Sequence, residues 1–195
     1  IRSMFNMTLK EDLALFPTKV MVFASGLDMS KVLKAAYSIQ SSTESVAQTN
    51  IGGYQSSGDF IMKDPLLEEL FVVQQECIGE YLRDYNRCRY TLTNSWLNIN
   101  GKGDFNWSHV HPGSQLSCCA YVQNPGKGID LQDPRAVTRM LKTFELSPNN
   151  YAELNIKPEV GDIIVFPSWL EHKVPPNPIE EPRVSIASNY DVEEL

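Results

Sequence analysis

The chain has 195 residues, 42% of them hydrophobic and 21% charged, a composition ordinary for a globular protein with a substantial core. Its net charge of −7 argues against a nucleic-acid groove, which needs clustered Lys and Arg, and no apolar run approaches the ~20 residues of a membrane span. No secretory leader is visible, because Met4 to Phe16 is amphipathic and carries Lys10, Glu11 and Asp12; Ile1-Arg2-Ser3 ahead of it reads as an appended segment.

In chain order, Val20 to Ala24 is a short apolar strand. A helix follows from Asp28 to Gln40, with Asp28 or Ser30 as N-cap. Ser41 to Ser57, rich in Ser, Thr, Gln, Asn and Gly, reads as irregular or briefly extended, with Gly52-Gly53-Tyr54 a candidate lid. A second helix spans Pro65 to Asp84, with Pro65 in its first turn. Leu66, Leu67, Leu70, Val73 and Ile78 give it an apolar stripe, read as core packing.

After Asn86 the pattern changes to short β-type runs: Tyr90 to Asn98, Gln115 to Gln123, Ile129 to Leu131, Ala152 to Ile156, Asp162 to Phe166 and Arg183 to Tyr190. Gly- and Pro-rich breaks separate them, among them Asn124-Pro125-Gly126 and Pro175-Pro176-Asn177-Pro178. Val137 to Phe144 reads as helix or loop. Several short strands at regular spacing predict a sandwich or barrel. The expected fold is mainly β with flanking N-terminal helices: a jelly roll of two packed antiparallel sheets, buttressed on one face by the helices. The expected organisation is one domain over 1–195, with support from 4–88 and a jelly-roll core from 89–191.

Cys77, Cys88, Cys118 and Cys119 form no Cys-x-x-Cys pair and read as reduced, mostly buried thiols, which favours the cytoplasm. Cys118 and Cys119 are adjacent in a strand and so point to opposite faces.

The chain's three histidines form two clusters, His109-Val110-His111-Pro112-Gly113 and His172 in Ser168-Trp169-Leu170-Glu171-His172. In extended chain, positions 109 and 111 share a face. With His172 delivered by a late strand, three imidazoles can meet one ion, and imidazole suits Fe, Zn, Cu and Ni. Three protein ligands leave open coordination positions, as a catalytic site requires.

The stretch from Trp96 to Tyr190 resembles the catalytic core of the iron(II)- and 2-oxoglutarate-dependent oxygenases, nearest the prolyl-hydroxylase-like branch. Trp96-Leu97-Asn98, His109-x-His111-Pro112-Gly113-Ser114, Tyr121-Val122, Asp133-Pro134-Arg135, Phe166-Pro167-Ser168-Trp169-Leu170-x-His172 and Arg183-x-Ser185 are similar to a microbial and phage group of these oxygenases, as is Asn50-Ile51-Gly52-Gly53-Tyr54-Gln55-Ser56. The resemblance implies a double-stranded β-helix, cupin-like, holding Fe(II) and using 2-oxoglutarate and O2. It implies His109 and His172 as metal ligands and puts His111 where the family carries a carboxylate. His111 either binds iron, giving a three-histidine site, or turns away and leaves a water or anion; the shared face favours binding.

The resemblance also implies that Arg183 grips the distal carboxylate of 2-oxoglutarate, with Ser185, Tyr121 and Asn98 in the same pocket. The reading that ignores the resemblance gives Arg183 a surface salt bridge with Glu180 or Glu181. The implied reaction releases succinate and CO2 and returns a hydroxyl to a small-molecule or peptidyl substrate. Trp96, Trp107 and Trp169 read as packing at the barrel mouth, with substrate stacking as the alternative for Trp107 or Trp169. Two other functions stay open: a cupin-type metal dioxygenase that does not use 2-oxoglutarate, and a non-catalytic metal- or ligand-binding jelly roll. The sequence names neither the substrate nor the oligomeric state.

Overall fold

A computed structural model of the chain describes residues 10–11, 15–58, 61–85, 87–135 and 152–195. Ile1-Arg2-Ser3, most of the 4–16 stretch and the 137–144 segment lie outside the described residues. Eleven strands make two sheets. β1 (Met21–Ala24), β3 (Tyr54–Gln55), β4 (Cys88–Asn100), β6 (Leu116–Gln123), β9 (Asp162–Pro167) and β11 (Arg183–Glu194) form the first, in the order β1-β9-β6-β11-β4-β3. β2 (Asn50–Ile51), β5 (Phe105–His109), β7 (Ile129–Gln132), β8 (Glu153–Ile156) and β10 (His172–Val174) form the second, in the order β2-β5-β10-β7-β8. Every pairing is antiparallel, as in a jelly roll.

Helices α1 (Met29–Ser42) and α2 (Glu68–Tyr81) pack on the outer face of the six-stranded sheet. Asp28 caps α1, its side chain accepting from the Ser30 N–H at 3.0 Å. Pro65–Leu67 forms a 3-10 turn, capped by Asp64, before α2 begins at Glu68. Leu66 therefore falls outside the α2 stripe and is exposed, while Leu67, Leu70 and Ile78 are buried and Phe71, Cys77 and Tyr81 complete the helix face.

The six-stranded sheet has two different faces because its strands alternate. On β4, Leu97 and Ile99 enter the core beneath the helices; on β11, Val184 and Ile186 do the same. The intervening residues point between the sheets, where Tyr121, Ile129, Leu131, Ile164, Phe166 and Leu170 form a second, smaller cluster. Cys118 and Cys119 divide as expected, Cys118 joining the helix-side core and Cys119 packing against the inner cluster; none of the four cysteines is in a disulfide.

The Gly52-Gly53-Tyr54 segment is a junction and not a lid. It carries the chain from β2 in one sheet to β3 in the other, and both glycines have positive φ (67° and 64°). A Cβ on Gly52 would stand 1.9 Å from Asp104 Oδ1, so the turn is closed against its neighbour, and Tyr54 is buried with its hydroxyl 2.5 Å from Thr43 Oγ1.

Candidate metal centre and adjoining cavity

Two strand expectations were incomplete around the histidines, and both omissions matter. β5 and β10 are short, and neither shows a clear period-two pattern in sequence. They pair with His172 opposite His109 and Val174 opposite Asn106, so three steps on β5 match two on β10. This bulge puts Asn106 and His109 on one inward face, where unbroken alternation would separate them. His109 ends β5, and His111 follows in the crossover to β6, with its backbone N–H donating to Ser168 O at 2.9 Å.

The three imidazoles converge. Their ring centroids lie 5.1 Å (His109–His111), 4.3 Å (His109–His172) and 4.9 Å (His111–His172) apart, and one ligand atom from each falls within 4.8 Å of the others. Each ring is fixed through Nδ1. His109 Nδ1–H donates to Trp107 O at 2.6 Å, and His172 Nδ1–H donates to Leu170 O at 2.8 Å. His111 Nδ1–H donates to Asn189 Oδ1 at 2.8 Å and lies 2.7 Å from Ser117 Oγ. A ring that donates from Nδ1 is left with a bare lone pair on Nε2. His111 Nε2 is buried and, among the described residues, has no partner.

Burial keeps these rings neutral. It lowers His109, lowers His111 to about 4 and lowers His172 to about 3; a charge on His109 adds to the effect on the other two. Neutral imidazole is the form that binds metal. The donor set therefore fits a transition-metal ion.

Behind His111 is a buried polar cluster that the sequence reading missed. Ser117 Oγ donates to Asn189 Oδ1 at 2.8 Å and lies 2.7 Å from Ser168 Oγ. Asn189 occupies position i+6 from Arg183 on β11, so strand periodicity alone would have put it on the inward face.

The same cavity reaches Arg183. The sheet register lays the anticipated residues out in rows across three strands. Asn98, Ser185 and Tyr121 are direct partners across β4, β11 and β6, and Arg183 sits one row further, opposite Asn100. Trp96, Ala187 and Cys119 form the next row toward the histidines, and Asn94, Asn189 and Ser117 the one after. All four anticipated pocket residues line the cavity with the three histidines.

Arg183 is 2% exposed, which excludes a surface salt bridge. Glu180 instead pairs with Lys102 at 2.6 Å. Arg183 Nη1 donates to Pro175 O at 3.0 Å, while Nη2 is buried with no partner among the described residues. Burial lowers the guanidinium's pKa, though Tyr121, Cys119 and Asp104 oppose this; an Arg remains charged regardless. Asn98 Oδ1 is likewise buried and bare. Tyr121 is fully buried and its phenol is held protonated.

Of the three tryptophans, Trp96 alone packs at the centre, edge-on to His111 at 5.2 Å between ring centroids. Trp107 is 60% exposed and Trp169 56% exposed, so neither packs the barrel mouth. Trp107 lies on the bulged stretch of β5 and meets Phe105; Trp169 is in the turn before β10 and lines a groove with Lys19 and Tyr85.

Fold and site together define a double-stranded β-helix with a three-histidine centre at one end of a cavity and a buried, unpaired cation toward the other. Residues 94–189 match the family described as "Putative 2OG-Fe(II) oxygenase". This stretch, which carries every anticipated site residue, belongs to that family of 2-oxoglutarate- and Fe(II)-dependent oxygenases. Solved structures with the same fold include a prolyl-4-hydroxylase from Pseudomonas putida (12% identity, 89% of this chain and 92% of that one, TM-score 0.61). HygX from Streptomyces hygroscopicus, with nickel and 2-oxoglutarate bound, is similar at 13% identity over 89% of this chain and 83% of that one, TM-score 0.62. The viral collagen prolyl hydroxylase of Paramecium Bursaria Chlorella virus-1 is similar at 10% identity over 88% of this chain and 94% of that one, TM-score 0.58. At these identities the likeness establishes the fold. No curated protein matches the sequence. Among the described residues no helix is long and apolar enough to cross a membrane.

Proposed function

We propose that this oxygenase holds Fe(II) through Nε2 of His109, His111 and His172 and hydroxylates a small-molecule or peptidyl substrate, with release of succinate and CO2. Arg183 and Ser185 hold the distal carboxylate of 2-oxoglutarate, and Tyr121 and Asn98 complete that pocket. The observation that carries this reading is the bare, buried Nη2 of Arg183 in the cavity of the three histidines. Leaving a buried charge unpaired costs several kcal/mol, and a carboxylate offers the guanidinium a bidentate partner. A cupin-type site, where substrate meets metal alone, gives no use to that cation.

When bound, Fe(II) with 2-oxoglutarate and O2 supplies the oxidising chemistry. The chain's own residues orient and enclose. The carbonyls of Trp107 and Leu170 fix the tautomers of His109 and His172; Asn189 fixes that of His111. Phe166 packs edge-on against His172 at 4.9 Å and shields it from water. Four cysteines outside any disulfide fit a reducing compartment, and we place the protein in the cytoplasm.

The test is anaerobic. Fe(II) plus 2-oxoglutarate should give the weak visible charge-transfer band of the chelate, and 2-oxoglutarate should raise the melting temperature of the metal-loaded protein. Absence of both refutes the reading.

A further inference from the structure

A second cleft opens beside the metal cavity, and the two share Thr49, Trp96, His109 and His111. Its remaining walls come from the 46–58 segment, from Asn94 of β4, from Val110 and Pro112 on either side of His111, and from Asn189 of β11. Among the described residues, no Asp, Glu, Lys or Arg lines it. Apart from the two shared histidines, its polar side chains are amides and hydroxyls.

Two of those amides are bare. Gln55 is 7% exposed, yet its Oε1 has no partner among the described residues, and Asn94 Oδ1 is equally occluded and unpaired. Leaving a buried acceptor unsatisfied costs about 1–3 kcal/mol. The register makes the pair a surface. Gln55 lies across from Asn98 on β4, and Asn94 is four residues from Asn98 on the same strand face. Trp96 lies between them on that face, directly beside His111.

We propose that this cleft is the prime-substrate site and that it selects an uncharged substrate, one that gives N–H or O–H donors to Gln55 and Asn94 and lays its apolar part on Trp96. The inference rests on the oxygenase reading above. A carboxylate or ammonium seated here would lose its hydration with no oppositely charged side chain among the described lining residues to replace it. Hydroxyls of a neutral sugar and amides of a peptide share the required chemistry.

The test uses the full chain loaded with Ni(II) and 2-oxoglutarate, titrated by calorimetry with matched pairs: N-acetylprolinamide against free proline, and glucose against glucuronate. In at least one pair the uncharged member should bind about tenfold or more tightly than its charged counterpart, and the responding pair distinguishes amide from hydroxyl. Gln55→Leu and Asn94→Leu should each weaken that probe by about fivefold or more, the loss of one buried hydrogen bond. Gln55→Met nearly keeps the volume at position 55 while removing the acceptor, and covers the case in which a leucine variant misfolds; it should weaken the uncharged probe as well. The inference is overturned if charged members bind as tightly, if no uncharged probe binds at millimolar concentration, or if folded variants bind unchanged. The chelate band and the 2-oxoglutarate-induced rise in melting temperature are recorded on the parent protein. Their absence sinks the oxygenase reading, whereas their presence without any preference within the pairs sinks only the substrate inference.

Discussion

Replacing Arg183 by Met should stabilise the ligand-free protein while removing its response to 2-oxoglutarate, and these opposite signs make it the most discriminating change. The guanidinium is 2% exposed, with one donor to Pro175 O and Nη2 unpaired. Asp104 attracts the guanidinium without forming a contact ion pair among the described residues. A buried ion so placed carries a net penalty of several kcal/mol, and the lost charged hydrogen bond returns about 1.5–3 kcal/mol of that. Met fills a similar volume, so the ligand-free protein should gain about 1–3 kcal/mol, or roughly 2–10 °C in melting temperature for a chain of this size. Removing one partner of a buried charge pair costs binding about 3 kcal/mol, roughly 150-fold in Kd. At 2-oxoglutarate 100-fold above its Kd, the parent gains about 2.7 kcal/mol from ligand; the variant, at the same concentration, gains about 0.3 kcal/mol. Differential scanning fluorimetry with Ni(II) present, with and without 2-oxoglutarate, reads both numbers. A variant that melts well below the parent and still responds to 2-oxoglutarate would show that Arg183 is a structural cation whose partner is not the keto acid.

Three further outcomes follow from the histidine geometry. His111→Ala should weaken Ni(II) or Fe(II) binding by roughly 100-fold or more in calorimetry, because it deletes one of three donors; unchanged affinity would mean that His111 turns away from the ion. Asn189→Leu removes the acceptor that sets the His111 tautomer and should cost roughly 10–100-fold in metal affinity, with secondary structure retained by circular dichroism. In acid, the unfolded chain protonates its histidines near 6.5, while burial holds His111 at about 4 and His172 at about 3. Metal-free stability should therefore be complete above pH 6.5 and fall as pH drops from 6.5 toward 4, by about 1.4 kcal/mol per unit for each such histidine. Urea melts at pH 7.0, 6.0 and 5.0 measure the slope, and a flat profile would contradict neutral burial.

What the sequence made legible was whatever repeats along one strand. Arg183 with Ser185 is readable because positions two apart share a face, and the helices are readable from Asp28, Pro65 and the leucine stripe. The same rule paired His109 with His111, although His111 lies past the end of β5 and reaches the cluster from the crossover. What it hid depends on pairing between strands. The β5 bulge that turns Asn106 and His109 inward together exists only against β10. The row of Asn98, Ser185 and Tyr121 needs three strands in register. The Ser117–Ser168–Asn189 cluster joins segments far apart in sequence; periodicity along β11 turns Asn189 inward, but only the tertiary structure brings Ser117 and Ser168 to it. Gly52 and Gly53 suggested mobility by composition; their role is a close approach to Asp104, which only the tertiary structure supplies.

As the proposed third ligand, His111 would set the charge of the centre as well as its donor set. All three histidine rings are held neutral, and among the described residues no Asp or Glu lines the cavity. A divalent ion, a doubly charged keto acid and Arg183 together leave one positive charge, where a carboxylate at position 111 would leave none. The outer partners do not restore the balance, because Ser117 and Asn189 are uncharged. One charge at ~4 Å and an effective dielectric near 20 is worth about 4 kcal/mol, equivalent to roughly 170 mV for a one-electron couple. The native centre should therefore favour Fe(II) over Fe(III) relative to a carboxylate-bearing one. His111→Asp should keep iron, since two histidines and a carboxylate suffice, and should lower the potential by on the order of 100–200 mV. Mediated redox titration of both proteins measures it. Equal potentials would show that something outside the cavity lining already supplies the missing charge.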